Sequence, residues 1–147
     1  DATRDGQPPR AASVAISPDE LKRLHPRIHA SRLIDKCLLL VQAEGEGRPV
    51  RDAVVRAPQV AKVPLIAVVS LDVDLQDRES FLWGLFTRFD PARDVVFAQS
   101  ELHGSWPVHR GCLGIDATFK TGYPDPVEMD PGIMARVTQR WGQYWST

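Results

Sequence analysis

The sequence predicts an α/β fold of the βαβαβ type, with three layers, a central sheet of mostly parallel or mixed strands, and a C-terminal helix. Two observations support this prediction. Apolar segments of strand length alternate with segments in which apolar residues recur at helical spacing, as in parallel strands joined by right-handed crossovers. The chain also has 147 residues, of which 43% are hydrophobic and 25% charged, enough for one domain with one core.

Three segments are predicted to form strands. Residues 32–42 are apolar and end before Gly45, although their leucine content leaves a helix as an open alternative. Residues 63–70 are largely β-branched and apolar, as expected of a strand covered on both faces. Residues 94–99 form the third apolar segment, and the glycine-containing stretch that follows is predicted to be a long loop.

Helices are predicted between these strands and at both ends of the domain. The motif Ser17-Pro18-Asp19-Glu20 is a capping box that starts a short helix, which Pro26 ends near Leu24. Residues 48–60 and 78–89 have the apolar spacing of helices. Asp130-Pro131 opens a last helix, whose apolar stripe is formed by Ile133, Val137, Trp141 and either Tyr144 or Trp145.

The two ends of the chain differ from the middle. Residues 1–17 combine prolines with short polar residues and no sustained period, so an irregular N-terminal arm is predicted there. Residues 18–147 are predicted to form the α/β domain. Because the first residue is Asp1 rather than Met, we expect a fragment, a processed piece or a separate subunit.

Charge and hydropathy exclude several classes of function. The formal net charge is −1, so neither a nucleic-acid partner nor a charged membrane surface is indicated. The longest apolar runs, residues 37–41 and 64–69, are far shorter than the roughly 20 residues of a membrane span. The first 30 residues lack the apolar stretch of a signal peptide, so we expect a cytoplasmic protein.

Few residues carry a specific chemical signal by themselves. Cys37 and Cys112 form neither a metal-binding motif nor a disulfide framework, so buried free thiols are expected. Asp72 and Asp74 directly follow a predicted strand, where they could bind a divalent cation or cap the next helix. No phosphate-binding glycine motif is present.

Three segments taken together resemble the C-terminal domain of the UbiD-type decarboxylase family. They are the D-V-D motif after the valine-rich strand, the run W-x-x-x-T-R-x-D-P-A-R-D at residues 83–94, and G-I-D-A-T at residues 114–118. The resemblance covers roughly residues 30–147. The middle motif is long enough to be fairly specific.

The resemblance implies a decarboxylase activity whose catalytic residues lie in a domain or subunit other than this chain. Members of the family are reversible decarboxylases of aromatic or α,β-unsaturated carboxylic acids. Prenylated FMN, together with a divalent metal and K+, is expected to be bound mainly by a domain or subunit absent from this chain. The resemblance thus implies no catalytic, cofactor-binding or metal-binding residue here. It implies instead a catalytic flavin-binding partner and a homo- or hetero-oligomer, in which this chain covers the active site and builds the interface.

Two other interpretations are left open by the residues. The chain could be a non-catalytic α/β binding or regulatory protein that retains the domain, or a small metal-dependent enzyme that uses Asp72 and Asp74. The charged residues of the middle motif are predicted to form a local network of ion pairs and caps around Pro91, in which Arg93 stabilises the turn.

The residues that bind substrate are expected in the predicted loop from Glu101 to Cys112. This loop follows the third strand, so it is expected to leave the carboxyl edge of the sheet, where α/β proteins bind ligands. The resemblance implies that Leu102, His103 and Trp106 in this loop bind substrate, with Leu102 and Trp106 packing against an aromatic ring and His103 near a ring hydroxyl or the carboxylate. The alternative is an interface loop that never contacts substrate.

Overall fold

The computed structural model describes residues 16–123 and 129–144. Its helices are α1 (Pro18–Leu24), α2 (Arg48–Val55), α3 (Arg78–Thr87) and α4 (Pro131–Tyr144), with a 3-10 turn at Pro58–Val60. Its strands are β1 (Ile28–Ile34), β2 (Leu38–Ala43), β3 (Leu65–Val69), β4 (Val95–His103) and β5 (Trp106–Ala117). The N-terminal arm up to residue 15 and Trp145 lie outside the described residues, so the predictions made for them remain predictions.

The five strands form one mixed sheet in the order β1-β2-β3-β5-β4. The three central strands are parallel, and each edge is an antiparallel hairpin, β1 with β2 and β4 with β5. The predicted α/β class with a parallel or mixed sheet is confirmed. In the described part of the chain, no helix is long and apolar enough to cross a membrane.

Apolar side chains pack on both faces of the sheet. Leu39 and Val41 of β2 lie in one cluster with residues of α1 and α2, whereas Leu40 lies in a second cluster with residues of α3. This alternation follows from the pleat of the strand. The prediction of three layers is therefore confirmed. The last helix is different, because none of the described residues of α4 is buried.

The predicted single strand over residues 32–42 is wrong, because these residues belong to the hairpin of β1 and β2. Asp35 and Lys36 form the turn, with φ angles of 47° and 58°. Such left-handed pairs are usually occupied by Asn or Gly, so the sequence has no clear turn signal there. The turn also leaves Cys37 exposed, contrary to the expected buried thiol, whereas Cys112 is buried as expected.

The predicted loop from Glu101 to Cys112 is also wrong, because these residues continue the hairpin of β4 and β5. Gly104, with a φ of 62°, and Ser105 form its turn. Because β4 runs antiparallel to β5, the turn lies at the end of the sheet where the parallel strands begin. The expectation that this segment leaves the carboxyl edge is therefore incorrect.

Candidate functional site

The carboxyl edge of the sheet gathers the charged residues of the middle and last motifs. Asp72 follows β3, and Lys120 follows β5. Arg88 ends α3 and Asp94 directly precedes β4. Because the three parallel strands end at the same edge, segments far apart in sequence meet there.

Arg88 is the buried basic residue of this edge, with only 4% of its surface exposed. Its Nη1 and Nη2 donate to Oδ1 and Oδ2 of Asp72 at 2.9 and 2.6 Å. Two aromatic rings lie within cation–π distance of its guanidinium, Trp83 at 5.0 Å and Phe119 at 5.9 Å. The hydrogen bonds from Arg88 hold the pKa of Asp72 below its ordinary value of 3.8.

Lys120 connects the ends of several elements at the same edge. Its Nζ donates to the backbone oxygens of Arg88, Asp116 and Thr118 at 3.2, 2.8 and 3.1 Å. The same nitrogen lies 3.6 Å from Oδ2 of Asp94 and 3.5 Å from Oδ1 of Asp116. Both aspartates are only 1% exposed, so Lys120 compensates two buried charges.

Asp94 is stabilised in its ionised form despite its burial. Burial opposes ionisation, but the backbone amide of Asp90 (2.8 Å), Lys120 and the hydroxyl of Tyr123 (3.1 Å) surround the carboxylate. Together they hold the pKa of Asp94 below its ordinary value of 3.8. The carboxylate thereby connects the turn before β4 to the segment after β5.

We expect acid to destabilise the domain through Asp72 and Asp94. A carboxylate with a lowered folded-state pKa contributes stability above its unfolded pKa, and this contribution is lost as pH falls through the folded value. The free energy of unfolding should therefore change little through these groups above about pH 5 and decrease progressively below about pH 4. Urea unfolding between about pH 6 and about pH 2.5 measures this, and Asp94→Asn should flatten the dependence. Stability that increases as the solution is acidified across this range would contradict the assignment.

The predicted network of ion pairs and caps around Pro91 is confirmed, but the ion pair that Arg93 forms in it is exposed to solvent. Asp90 accepts hydrogen bonds from the amide of Ala92 and from Nε of Arg93, both at 2.9 Å. The side chain of Arg93 is 63% exposed and that of Asp90 is 40% exposed, so this ion pair contributes little to stability. The buried charged residues of the motif are Arg88 and Asp94.

A metal site at Asp72 and Asp74 is not supported. Both oxygens of Asp72 bind Arg88, and Oδ1 of Asp74 accepts the amide of Gln76 at 2.7 Å. Across residues 16–123 and 129–144, no group of three or more histidine, cysteine, aspartate or glutamate side chains could hold a metal ion. Asp72 therefore pairs with the end of α3, and Asp74 stabilises the loop that follows β3.

The predicted substrate residues lie together at the tip of the β4–β5 hairpin. Trp106 is 79% exposed and Leu102 is 75% exposed. Trp106 pairs across the strands with His103, whereas Leu102 pairs with Pro107. Since successive residues of a strand face opposite sides, Trp106 and His103 share one face and Leu102 lies on the other. Leu102 and Trp106 thus do not form one flat apolar surface.

Sequence reasoning missed the role of Lys120 and Asp116. A signal was present, because Asp116 is a charged residue within the apolar end of β5, followed four residues later by Lys120.

Gly47 shows how closely this edge is packed. Its amide donates to the hydroxyl of Thr118 at 3.0 Å, and an added Cβ would lie 2.3 Å from Oδ1 of Asp116.

Comparison with known proteins places this architecture in a family. The family described as the 3-octaprenyl-4-hydroxybenzoate carboxy-lyase C-terminal domain, UbiD_C, matches residues 24–117. A 4-hydroxybenzoate decarboxylase subunit from Chlamydia pneumoniae is 33% identical over 110 residues, which are 74% of this chain and 18% of that protein. The chain thus spans about a fifth of that relative's length.

Two solved structures share the fold. An evolved dimeric form of the UbiD-class enzyme HmfF from Pelotomaculum thermopropionicum, in complex with prFMN, has a TM-score of 0.58 and 20% identity, over 79% of this chain and 26% of that one. The closed form of vanillic acid decarboxylase from Sedimentibacter hydroxybenzoicus has the same TM-score and identity, over 88% of this chain and 31% of that one. The family model covers well over half of the chain, and the chain therefore belongs to the UbiD C-terminal domain family.

Proposed function

We propose that this chain is the C-terminal domain or small subunit of a reversible decarboxylase of aromatic or α,β-unsaturated carboxylic acids. The observation that carries the proposal is the family match over residues 24–117, within which Arg88 and Asp94 of the middle motif lie buried at the carboxyl edge. The name of the Chlamydia pneumoniae relative, a decarboxylase subunit, supports the same class. The proposal keeps the cytoplasmic location expected from the sequence.

We infer that the carboxyl edge of this chain does not hold prenylated FMN, the cofactor of the proposed reaction. The cations of the carboxyl edge, Arg88 and Lys120, are already bound to Asp72, Asp94 and Asp116. The glycine loop before α2 packs against Thr118 through Gly47, which leaves that amide no role in holding a phosphate. The flavin, and with it a divalent metal and K+, would be bound mainly by a catalytic domain or subunit outside this chain.

The chain would then contribute a surface that covers the active site of its flavin-binding partner. The hairpin tip is the best candidate, because it extends beyond the sheet and exposes Trp106 beside His103. An apolar ring next to an imidazole suits the aromatic body and the polar substituents of an aryl acid. We assign the substrate contact to His103 and Trp106, with Leu102 touching the same partner from the opposite face.

The isolated chain should have no decarboxylase activity. Decarboxylation needs an electron sink for the developing carbanion and a positioned acid or base, and we assign both to the partner. The test incubates the purified chain with prenylated FMN and a panel of cinnamic and hydroxybenzoic acids, and follows CO2 release. Turnover by the chain alone would contradict the proposal.

The partner itself can be identified by native mass spectrometry of the complex purified through this chain. The proposal expects a larger flavin-bearing polypeptide to accompany it. If the chain is purified without any flavin-bearing partner under mild conditions, the alternative of a non-catalytic binding or regulatory protein is favoured.

The last helix is expected to hold subunits together. Ile133, Trp141 and Tyr144 are exposed on α4 and Val137 is half-buried, and large apolar side chains are common anchors at subunit interfaces. Deleting residues 131–147 should therefore yield smaller assemblies in size-exclusion chromatography with light scattering. As a control, Arg136→Gln and Arg140→Gln together should leave the mass unchanged. A truncated protein that keeps its native mass would contradict this role.

A further inference from the structure

The outer half of the β4–β5 hairpin, residues 99–110, forms an arm that leaves the sheet. The neighbouring strand β3 pairs with β5 only from Leu113 onward. Within the arm, β4 and β5 therefore pair with each other and not with β3. All residues of the arm except Val108 are exposed, and Val108 is half-buried. The arm is therefore oriented by its base and not by packing along its length.

The base of the arm is a β-bulge. The pairing shifts between Phe97 and Gln99, so that Gly111 and Cys112 both face Ala98. Gly111 has a φ of 79°, and an added Cβ would lie 2.9 Å from the Cβ of Ala98. Such a bulge interrupts the ladder and bends the strand, which makes it the natural point of bending between the sheet and the arm.

The sheet side of this bulge is fixed. Cys112 is 1% exposed, and its Sγ lies 3.4 Å from the backbone oxygen of Val55 in α2. One residue earlier, Gly111 is exposed. The transition from the anchored strand to the free arm thus occurs between two consecutive residues.

A ring stack spans the bulge. Phe97 lies on the sheet side and His109 on the arm side, and their rings are nearly parallel, 9° apart in angle with centroids 4.1 Å apart. The Oγ of Ser100 lies 3.0 Å from Nδ1 of His109 and fixes the ring further. This stack joins the two sides of the bend.

A cavity lies beside the bulge on the side of α2 and the 3-10 turn. Its volume is about 340 Å³. Ala57, Pro58 and Ala61 line one wall, and Ala98 and Gly111 are part of the other. Arg56 and Gln99 also line the cavity, and its volume leaves the base of the arm room to turn in this direction.

We propose that the bulge at Gly111 is a hinge and that the Phe97–His109 stack holds the arm in its present orientation, away from the 3-10 turn. When the stack separates, the arm bends into the cavity and carries its tip with it. The consequence for catalysis rests on the proposed function, because the hinge would then set the position of His103 and Trp106 against the flavin-binding partner. The hinge itself is a property of this chain.

Distance measurements between spin labels test the hinge. Labels are placed at Ser105→Cys in the arm turn and Lys62→Cys after the 3-10 turn, in a Cys37→Ser background. The buried Cys112 is retained. The parent is expected to give one narrow distance distribution. His109→Ala should broaden the distance distribution and shift its mean to a shorter distance by roughly 5 Å or more. A shift of this size is expected because the arm of five residue pairs is about 16 Å long, so a bend at its base displaces the label at its turn.

Two further variants keep the test decisive. Phe97→Leu retains an apolar side chain at the base but removes the stack, so it should behave like His109→Ala. Glu101→Ala is the control, because this exposed arm residue forms no ion pair within the part of the chain that the structure describes. Since His109 is exposed, its variant tests the hinge even if Phe97→Leu does not fold.

The proposal is overturned if His109→Ala keeps the parent distribution, or if Glu101→Ala broadens it equally. The measurement needs neither cofactor nor substrate. A protein that proves to have no part in decarboxylation would therefore leave this result intact, and the failures of the two proposals are distinguishable.

Discussion

Replacing Lys120 by Met is expected to destabilise the domain by about 3–5 kcal/mol, because it leaves buried carboxylates without a compensating charge. Asp94 and Asp116 are each 1% exposed and face the Lys120 ammonium. Three backbone oxygens lose a donor in addition. Urea unfolding at neutral pH, followed by tryptophan fluorescence, measures the effect.

The matched control is Lys62→Met. Lys62 is exposed to solvent and forms no ion pair within residues 16–123 and 129–144, so its replacement should change stability by less than about 0.5 kcal/mol. The cost of Lys120→Met should also shrink below about pH 4, because protonation of Asp94 then removes a charge that Lys120 compensates. A loss under about 1 kcal/mol at neutral pH would show that the edge does not depend on this lysine.

On the proposed function, Trp106→Ala is expected to change the preference of the assembled decarboxylase among ring-substituted acids. If Trp106 contacts the ring, ratios of kcat/KM between acids should shift by roughly 10-fold or more, because the strength of the lost apolar contact differs from one substituted ring to another. The indole is 79% exposed in this chain, so the substitution should hardly affect the fold. Steady-state kinetics with a series of hydroxy- and methoxybenzoic acids measures the ratios.

Phe86→Ala is the control for this experiment. Phe86 is an exposed aromatic residue of α3, 63% accessible, and has no assigned contact with substrate. Its replacement should leave the ratios as they are. Equal changes for every acid after Trp106→Ala, or no change, would remove Trp106 from the substrate pocket and favour the interface role that the sequence also allowed.

Most of the helices could be predicted from local signals. The capping box at Ser17 is formed, with the Glu20 side chain accepting the Ser17 amide at 3.3 Å. The Asp77 side chain accepts the amides of Glu79 and Ser80 at 3.3 and 3.1 Å at the start of α3. Caps are interactions between residues at most three apart, so the sequence alone shows both partners.

The two hairpins could not be predicted with the same certainty. The turn at Asp35 and Lys36 uses left-handed residues that are not glycine. The β4–β5 arm is exposed on both faces, so its strands lack the apolar alternation by which a half-buried strand is recognised. In both cases the strand pairing, and not the local composition, decides the structure.

The sequence by itself determined the α/β class, the family resemblance and the importance of the run at residues 83–94, because these depend on periodicity and on local order along the chain. Only the tertiary structure decided which charges matter. Burial and pairing join Arg88 to Asp72 and Lys120 to Asp94, partners that lie 16 and 26 residues apart in the sequence. The strand order likewise placed Trp106 at the end of the sheet opposite the expected one. The direction of β4 depends on which strand it pairs with, and that pairing is a long-range contact that no local pattern specifies.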